Sequence, residues 1–271
     1  MSSDSMALRG KVLVFDSGMG GLTVAREISG LAPDVAVDYA ADNGFFPYGD
    51  KSDAALQARL PGLAAKLVHA SGPDVFVIAC NTASTLALEA VRARLDIPVV
   101  GTVPAIKPAA AQSQSRRIGL LATPGTIRRA YTAELVREFA SDVDVFMHGS
   151  IDLVHLAERQ AAGEAVPLQA FRQALEPLFN QPGAGAIDTL VLACTHFPLI
   201  RGELAAAVPH PVSFIDSGEA IARQTLRQLG SGGRESEGGR VFLTGAPETS
   251  DRLVEVCRRF GFGTVTCLVH H

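Results

Sequence analysis

The sequence predicts an α/β fold: two similar α/β domains with mostly parallel sheets. Three observations lead there. Short apolar, β-branched runs alternate with segments of helical spacing almost from end to end. The runs are continuous rather than alternating in polarity, so helices should cover both faces of each strand, as in parallel sheets. One pattern also occurs twice: VFVIACNTAST around Cys80 and LVLACTHFPLI around Cys194 each end an apolar run in Ala-Cys and turn polar at once.

In chain order, KVLVF (11–15) reads as a strand and GLTVAREISGL as the helix after it. VAVDYAA (35–41) is the next strand, followed by a polar loop and a helical stretch, DAALQARLPGLAAKLVHA, interrupted at Pro61. DVFVIA (74–79) is a short buried strand and ASTLALEAVRARL a helix. PVVGTVPAIKP (98–108) reads as a crossing between halves. The rhythm then repeats through RIGLLA (117–122), TIRRAYTAELVREFA, VDVFMH (143–148), DLVHLAERQAAG, LQAFRQALEPLF and TLVLA (189–193). LGSGGRESEGGR (229–240) reads as an exposed flexible loop, and RVFLTG and TVTCLV as strands beyond it. FDSGMGG (15–21) is echoed by IDSGEAI (215–221). Two similar halves would explain this echo and the paired cysteines. Short parallel strands also resemble one another, and Asp-Ser-Gly is a common turn.

Composition narrows the class of function. The chain has 271 residues, 47% of them hydrophobic, enough for one large domain or two modest ones. Its net charge is −4 and no basic block stands out, which argues against nucleic acid as a partner. No stretch reaches a membrane-spanning length and no signal peptide is recognisable, so the expected protein is soluble and cytoplasmic. There the four cysteines are expected reduced, and none forms a CxxC pair, so no metal site is expected. Cys257 and Cys267 read as buried structural thiols. His69, His148, His155 and His210 read as structural or exposed, and His270-His271 carries no role.

In parallel α/β sheets ligands bind beyond the carboxyl ends of the strands. Those ends deliver Asp16, Ser17 and Gly18; Cys80, Asn81 and Thr82; Thr123 and Thr126; and Cys194, Thr195 and His196. A cysteine ahead of a helix meets free N–H groups and partial positive charge, which should lower its pKa and suit it to proton transfer. A lone cysteine is more often a small buried apolar residue, but two in matching contexts favour function. His196 could move a proton at Cys194, and Asp16 could do so near Cys80, although a helix cap competes for Asp16. DSGMGG lacks the pattern of a nucleotide loop, yet its backbone could hold a carboxylate. Tyr48-Gly49, in ADNGFFPYGDKS, sits in a tight turn that could present backbone donors.

Together FDSGMGG, ADNGFFPYGDKS, IACNTAST, LLATPGT and LACTHFPL, in that order, resemble the glutamate racemases of the aspartate/glutamate racemase family, and FIDSGEAIA (214–222) extends the match. The resemblance implies two α/β domains related by a pseudo-twofold axis, with glutamate in the cleft between them. It implies residues 1–100 plus 210–271 as the first domain and 101–209 as the second, inserted within it. It implies catalysis without a cofactor: Cys80 and Cys194 face opposite sides of the substrate Cα, one thiolate removing the α-proton and the other thiol returning one. Cys80 would act on D-glutamate and Cys194 on L-glutamate, with Asp16 and His196 as auxiliary acid–base groups. Asp16-Ser17, Tyr48-Gly49, Asn81-Thr82 and Thr195-His196 would hold the substrate, joined by Thr123 and Thr126. The product would be D-glutamate for peptidoglycan, and the assembly a homodimer.

One region departs from that family's pattern. Ser150-Ile151 replace a Cys-Pro that many members carry ahead of a glutamate, and Glu158 falls at that glutamate's place. A solvated helix residue is the preferred reading of Glu158. Two rivals remain. An aspartate racemase would share the architecture, but Cys-Thr-His rather than Cys-Thr-Glu at 194–196 speaks for glutamate. A two-lobed amino-acid-binding protein would need the polar strand ends but not both cysteines.

Overall fold

Each run expected as a strand forms one, and every strand pair among the described residues is parallel. The computed structural model describes residues 8–230, 236–246 and 250–268. His270-His271 and part of the loop expected at 229–240 lie outside them. The chain begins β1 (Gly10–Asp16), α1 (Leu22–Leu31), β2 (Val35–Ala41), α2 (Asp53–Ser71), β3 (Val75–Ile78), α3 (Asn81–Arg92) and β4 (Val99–Val100). Next come α4 (Ile106–Gln112), β5 (Arg117–Ala122), α5 (Pro124–Arg128), α6 (Ala130–Phe139), β6 (Asp144–Gly149) and α7 (Ile151–Ala161). Then follow α8 (Leu168–Phe179), β7 (Thr189–Ala193), α9 (Arg201–Ala207) and β8 (Ser213–Ile215). The chain closes with α10 (Gly218–Leu229), β9 (Arg240–Leu243), α11 (Asp251–Arg259) and β10 (Thr264–Cys267).

The strands form two sheets. One runs β10-β9-β2-β1-β3-β4 and the other β6-β5-β7-β8. The segment β2-β1-β3-β4 and the whole second sheet have the same order, so β5 is the counterpart of β1 and β7 of β3. The fold is two similar α/β units, and the matching cysteine motifs are topologically equivalent. The Asp-Ser-Gly echo is not: Asp16 ends β1, whereas Asp216 follows β8, the counterpart of β4.

Period-two alternation along each strand divides the core. In the larger sheet Val12, Val14, Val75 and Val77 pack under α1, α10 and α11, while Leu13, Phe15, Phe76 and Ile78 pack under α2 and α3. In the smaller sheet Leu121, Leu190 and Leu192 meet α7, α8 and α9, and Ile118, Leu120 and Val191 meet α4 and α6.

Several local expectations change. α2 runs through Pro61 without a break. A proline costs a helix interior about 3 kcal/mol, but Leu56, Leu60, Leu63 and Leu67 are buried on both sides of it, and each contributes roughly 1.5–3 kcal/mol. The crossing at 98–108 holds β4 and the start of α4. β8 pairs with β7, so residues 213–215 belong to the smaller sheet. Cys257 is buried, as expected, but Cys267 is partly exposed. Among the described residues no helix is long and apolar enough to cross a membrane.

A buried ion pair fastens β9 to the sheet. Asp38, fully buried on β2, accepts from Arg240 Nη2 at 2.6 Å, from Arg240 Nε at 3.1 Å and from Ser71 Oγ at 2.8 Å. Removing the cation leaves a buried carboxylate without its counter-charge. Arg240→Ala should therefore cost about 3 kcal/mol, read as a lower urea midpoint at unchanged m-value.

Candidate active site

The carboxyl ends of β1, β3, β5 and β7 converge where the two sheets face each other. Asp16, the last residue of β1, is fully buried. Its Oδ1 accepts from Gly18 N at 3.0 Å and from Ser17 Oγ at 3.3 Å, and its Oδ2 accepts from Thr195 Oγ1 at 2.8 Å. The last of these crosses from one half to the other. The competing helix-cap reading fails, because α1 starts after Gly21 and has no side-chain cap.

Cys80 is the residue preceding α3, and its Sγ lies 3.9 Å from Ser17 Oγ. Its thiol pKa is raised far above the ordinary value, first by burial and then by the charge of Asp16; a backbone N–H from Ala83 and the Ser17 hydroxyl oppose this and lose. The expected lowering by the helix N-terminus is thus overridden. The reason is depth: Cys80 is 6% exposed, and desolvating a thiolate costs more than one turn of N–H groups returns. The second cysteine lacks even that helix. A 3₁₀ turn, Phe197–Ile200, follows it, and α9 starts only at Arg201.

Cys194 has a different neighbour. Its Sγ lies 3.8 Å from His196 Nδ1, and His196 Nε2 lies 2.6 Å from Glu158 Oε1, which also accepts from Met19 N at 3.1 Å. Burial works against charge on the imidazole, but its hydrogen bonds to Cys194 and Glu158 and the Glu158 charge outweigh that and raise its pKa well above the ordinary value. The reading of Glu158 as a solvated residue is overturned: its side chain is 22% exposed and touches the imidazole. Val154, one turn earlier on the same face of α7, lines the cavity. That i, i+4 spacing was the available signal. The cavity has a volume of about 10 Å³, far less than an amino acid occupies.

Of the expected residues, Ser17, Tyr48, Gly49, Cys80, Asn81, Thr82, Thr123, Cys194, Thr195 and His196 line this cavity, joined by Pro47 of the same turn and by Phe46, which the sequence did not single out. Asp16 and Thr126 stand behind its wall. Thr82 Oγ1, from one half, lies 2.9 Å from Thr123 Oγ1 in the other, and Thr126 Oγ1 lies 3.1 Å behind Thr123. Tyr48 is held by its hydroxyl, 2.5 Å from Asp42, whose carboxylate takes two bonds from Arg59 at 2.6 and 2.7 Å. A Cβ on Gly49 would fall 2.6 Å from Ile151 Cδ1 and 2.8 Å from Thr123 Cβ, so only glycine lets this turn close on the other half. Gly20 is similar, 2.5 Å from Thr195 Oγ1. Arg129 donates across the cleft to Thr82 O and Thr85 Oγ1, both at 2.9 Å, and to Asp53 at 2.8 Å. His148 and His210, away from the cavity, bond to the backbone carbonyls of Ala174 and Ile187.

The arrangement is one of proton donors and acceptors around a small enclosed space, with a sulfur contributed by each half. A family model described as Asp/Glu/Hydantoin racemase matches residues 22–225. A glutamate racemase of Pasteurella multocida (strain Pm70) is 44% identical over 254 residues, 93% of this chain and 93% of that protein. The crystal structure of Escherichia coli glutamate racemase in complex with L-glutamate and the activator UDP-MurNAc-ala superposes with a TM-score of 0.90 at 42% identity, covering 96% of this chain and 98% of that one. Glutamate racemase isoform RacE1 from Bacillus anthracis superposes with a TM-score of 0.79 at 30% identity, over 95% and 96% of the two chains. Matched by that model over most of its length, and by these relatives over nearly all of it, this chain is an enzyme of the Asp/Glu/hydantoin racemase family.

Proposed function

We propose that this enzyme interconverts L- and D-glutamate by a two-thiol acid–base mechanism without a cofactor. The observation that carries the mechanism is the pair of free cysteines at equivalent strand ends, lining one closed cavity from opposite halves. Glutamate is favoured as substrate by the 44% and 42% identities to glutamate racemases.

In the L to D direction Cys194, as thiolate, takes the α-proton. The imidazole beside it, kept proton-rich by Glu158, holds negative charge on that sulfur. Cys80, kept a neutral thiol by burial and by Asp16, delivers a proton to the other face. In the reverse direction the roles exchange, with Asp16 as the charged group near Cys80. Ser17, the Tyr48-Gly49 turn, Asn81, Thr82, Thr123 and Thr195 hold the substrate, with Thr126 behind them. A carboxylate suits this wall of hydroxyls, amide and backbone N–H groups. Because the closed cavity is smaller than the substrate, the halves must part to admit it.

The proposal extends to the setting. The domains are residues 1–100 with 210–271, and 101–209; the pairing of β8 with the smaller sheet favours moving the return point from residue 210 to beyond residue 215. The enzyme works as a cytoplasmic homodimer and supplies D-glutamate for peptidoglycan.

Purified protein incubated with D-glutamate in D₂O should invert it and place solvent deuterium at Cα, with a parallel D-aspartate sample unchanged. Inversion of aspartate alone would replace the substrate; no exchange on either by folded protein would sink the enzyme reading in favour of a binding protein. Cys80→Ser and Cys194→Ser should each lower kcat by at least about 100-fold, the lower range of acid–base catalysis, while glutamate binding survives. Glu158→Gln should lower the His196 pKa, seen as an NMR titration midpoint moved to lower pH, and reduce kcat for L-glutamate.

Stability should respond to alkaline pH. A thiol whose folded pKa is raised contributes stability that is complete below its unfolded value and is lost as pH rises through the folded one. Cys80 is raised from 9.0 and Cys257 is pushed up to about 12, both by burial first. The thermal midpoint should therefore fall as pH rises from 9.0 towards about 12, and Cys80→Ala should flatten the fall.

A further inference from the structure

A second chamber lies behind Cys194. It has a volume of about 20 Å³ and shares Asn81, Cys194 and Thr195 with the substrate cavity. On its far side it shares Asp216, Ser217 and Ile221 with an outer cavity of about 340 Å³ between α4 and α10. The three spaces stand in series from the reacting sulfur towards solvent.

Two buried polar atoms belong to chamber-lining residues and have no hydrogen-bond partner: Asn81 Nδ2, on a residue 6% exposed, and Thr102 Oγ1, on a residue 2% exposed. The Thr102 backbone is pinned, with its N–H donating to Ser84 Oγ at 2.8 Å. Buried polar groups without partners are costly, and a polar space of roughly 10–15 Å³ or more accommodates one water molecule. Asp216, at the far wall, accepts from Gly218 N at 2.8 Å, has Arg201 Nη1 at 3.9 Å, and is partly exposed.

We propose that this chamber binds a water molecule on Asn81 and Thr102, and that this water carries the proton of Cys194 to and from solvent past Asp216. The idea rests on the two-thiol reading. One L to D turnover leaves Cys194 as thiol and Cys80 as thiolate. The next requires the reverse. Cys194 S–H gives its proton to the chamber water, which passes one on to the Asp216 carboxylate and so to solvent, and Cys80 takes a proton back from solvent. No net proton is gained or lost. The second Asp-Ser-Gly stretch, which the duplication does not explain, acquires a role as the outer end of this path.

At glutamate concentrations far above KM, this reset rather than the chemistry limits the approach to equilibrium. Thr102→Val removes the hydroxyl at constant shape, and Asp216→Asn removes the proton acceptor while keeping an oxygen for Gly218 N. Each should move the onset of that regime to lower glutamate by on the order of three- to tenfold, the effect of one hydrogen bond, with kcat/KM unchanged in both directions. A high-resolution crystal structure of the wild-type enzyme should show an ordered water within hydrogen-bond distance of Asn81 Nδ2 and Thr102 Oγ1. An unchanged onset in both folded variants, a parallel loss of kcat/KM, or no ordered water there would overturn the proposal. Wild-type protein without glutamate racemisation would sink the underlying function, and is detected before any variant is compared.

Discussion

The hydrogen bond from Thr195 to the buried carboxylate of Asp16 is the contact on which the site depends. It joins the end of β1 in the larger sheet to the turn after β7 in the smaller one. Asp16 carries no counter-ion among its hydrogen-bond partners, so its charge is balanced by three donors, one of which belongs to the other half. Losing that donor would leave a fully buried anion poorly satisfied, which makes the closed arrangement the one that the carboxylate favours. Closure also brings Gly20 against Thr195 and Gly49 against Thr123, at separations that no side chain would allow.

Two similar halves do not make two similar sulfurs. Cys80 lies between a helix N-terminus and a carboxylate, and depth and negative charge prevail over the helix. Cys194 has an imidazole in place of that helix, and hydrogen bonds to that sulfur and to Glu158 on α7 raise the imidazole's pKa. The duplicated backbone supplies equivalent strand ends. The neighbouring residues, and the elements packed against them, give each sulfur different surroundings.

Around this centre a second layer fixes the polar side chains. Asp42, Arg59 and Thr244 immobilise Tyr48, so the turn that includes Gly49 is held from the far C-terminal part of the chain as well as from α2. Arg129 reaches over the cleft to the carbonyl of Thr82 and thereby fixes a hydroxyl cluster to which both halves contribute. Of these links, those of Arg129 cross the cleft, joining the smaller-sheet half to Thr82, Thr85 and Asp53 through charged hydrogen bonds.

The strands other than β4 and β8, their parallel pairing and the equivalence of Cys80 and Cys194 were legible in the sequence, because continuous apolar runs and strand-end polarity are local properties. Most of the cavity wall was legible for the same reason: residues just past a parallel strand can only sit at one edge of the sheet. Glu158 was misread because a glutamate on a helix is ordinarily solvated, and only the packing of α7 against the turn after β7 brings it to His196. The Asp-Ser-Gly echo misled because three residues resemble each other wherever a strand meets a helix, and strand order alone separates β1 from β8. The sequence by itself determined which groups stand at the strand ends. Only the tertiary structure decided the surroundings each of them meets, since burial depth and cross-cleft charge are sums over neighbours that no local stretch contains.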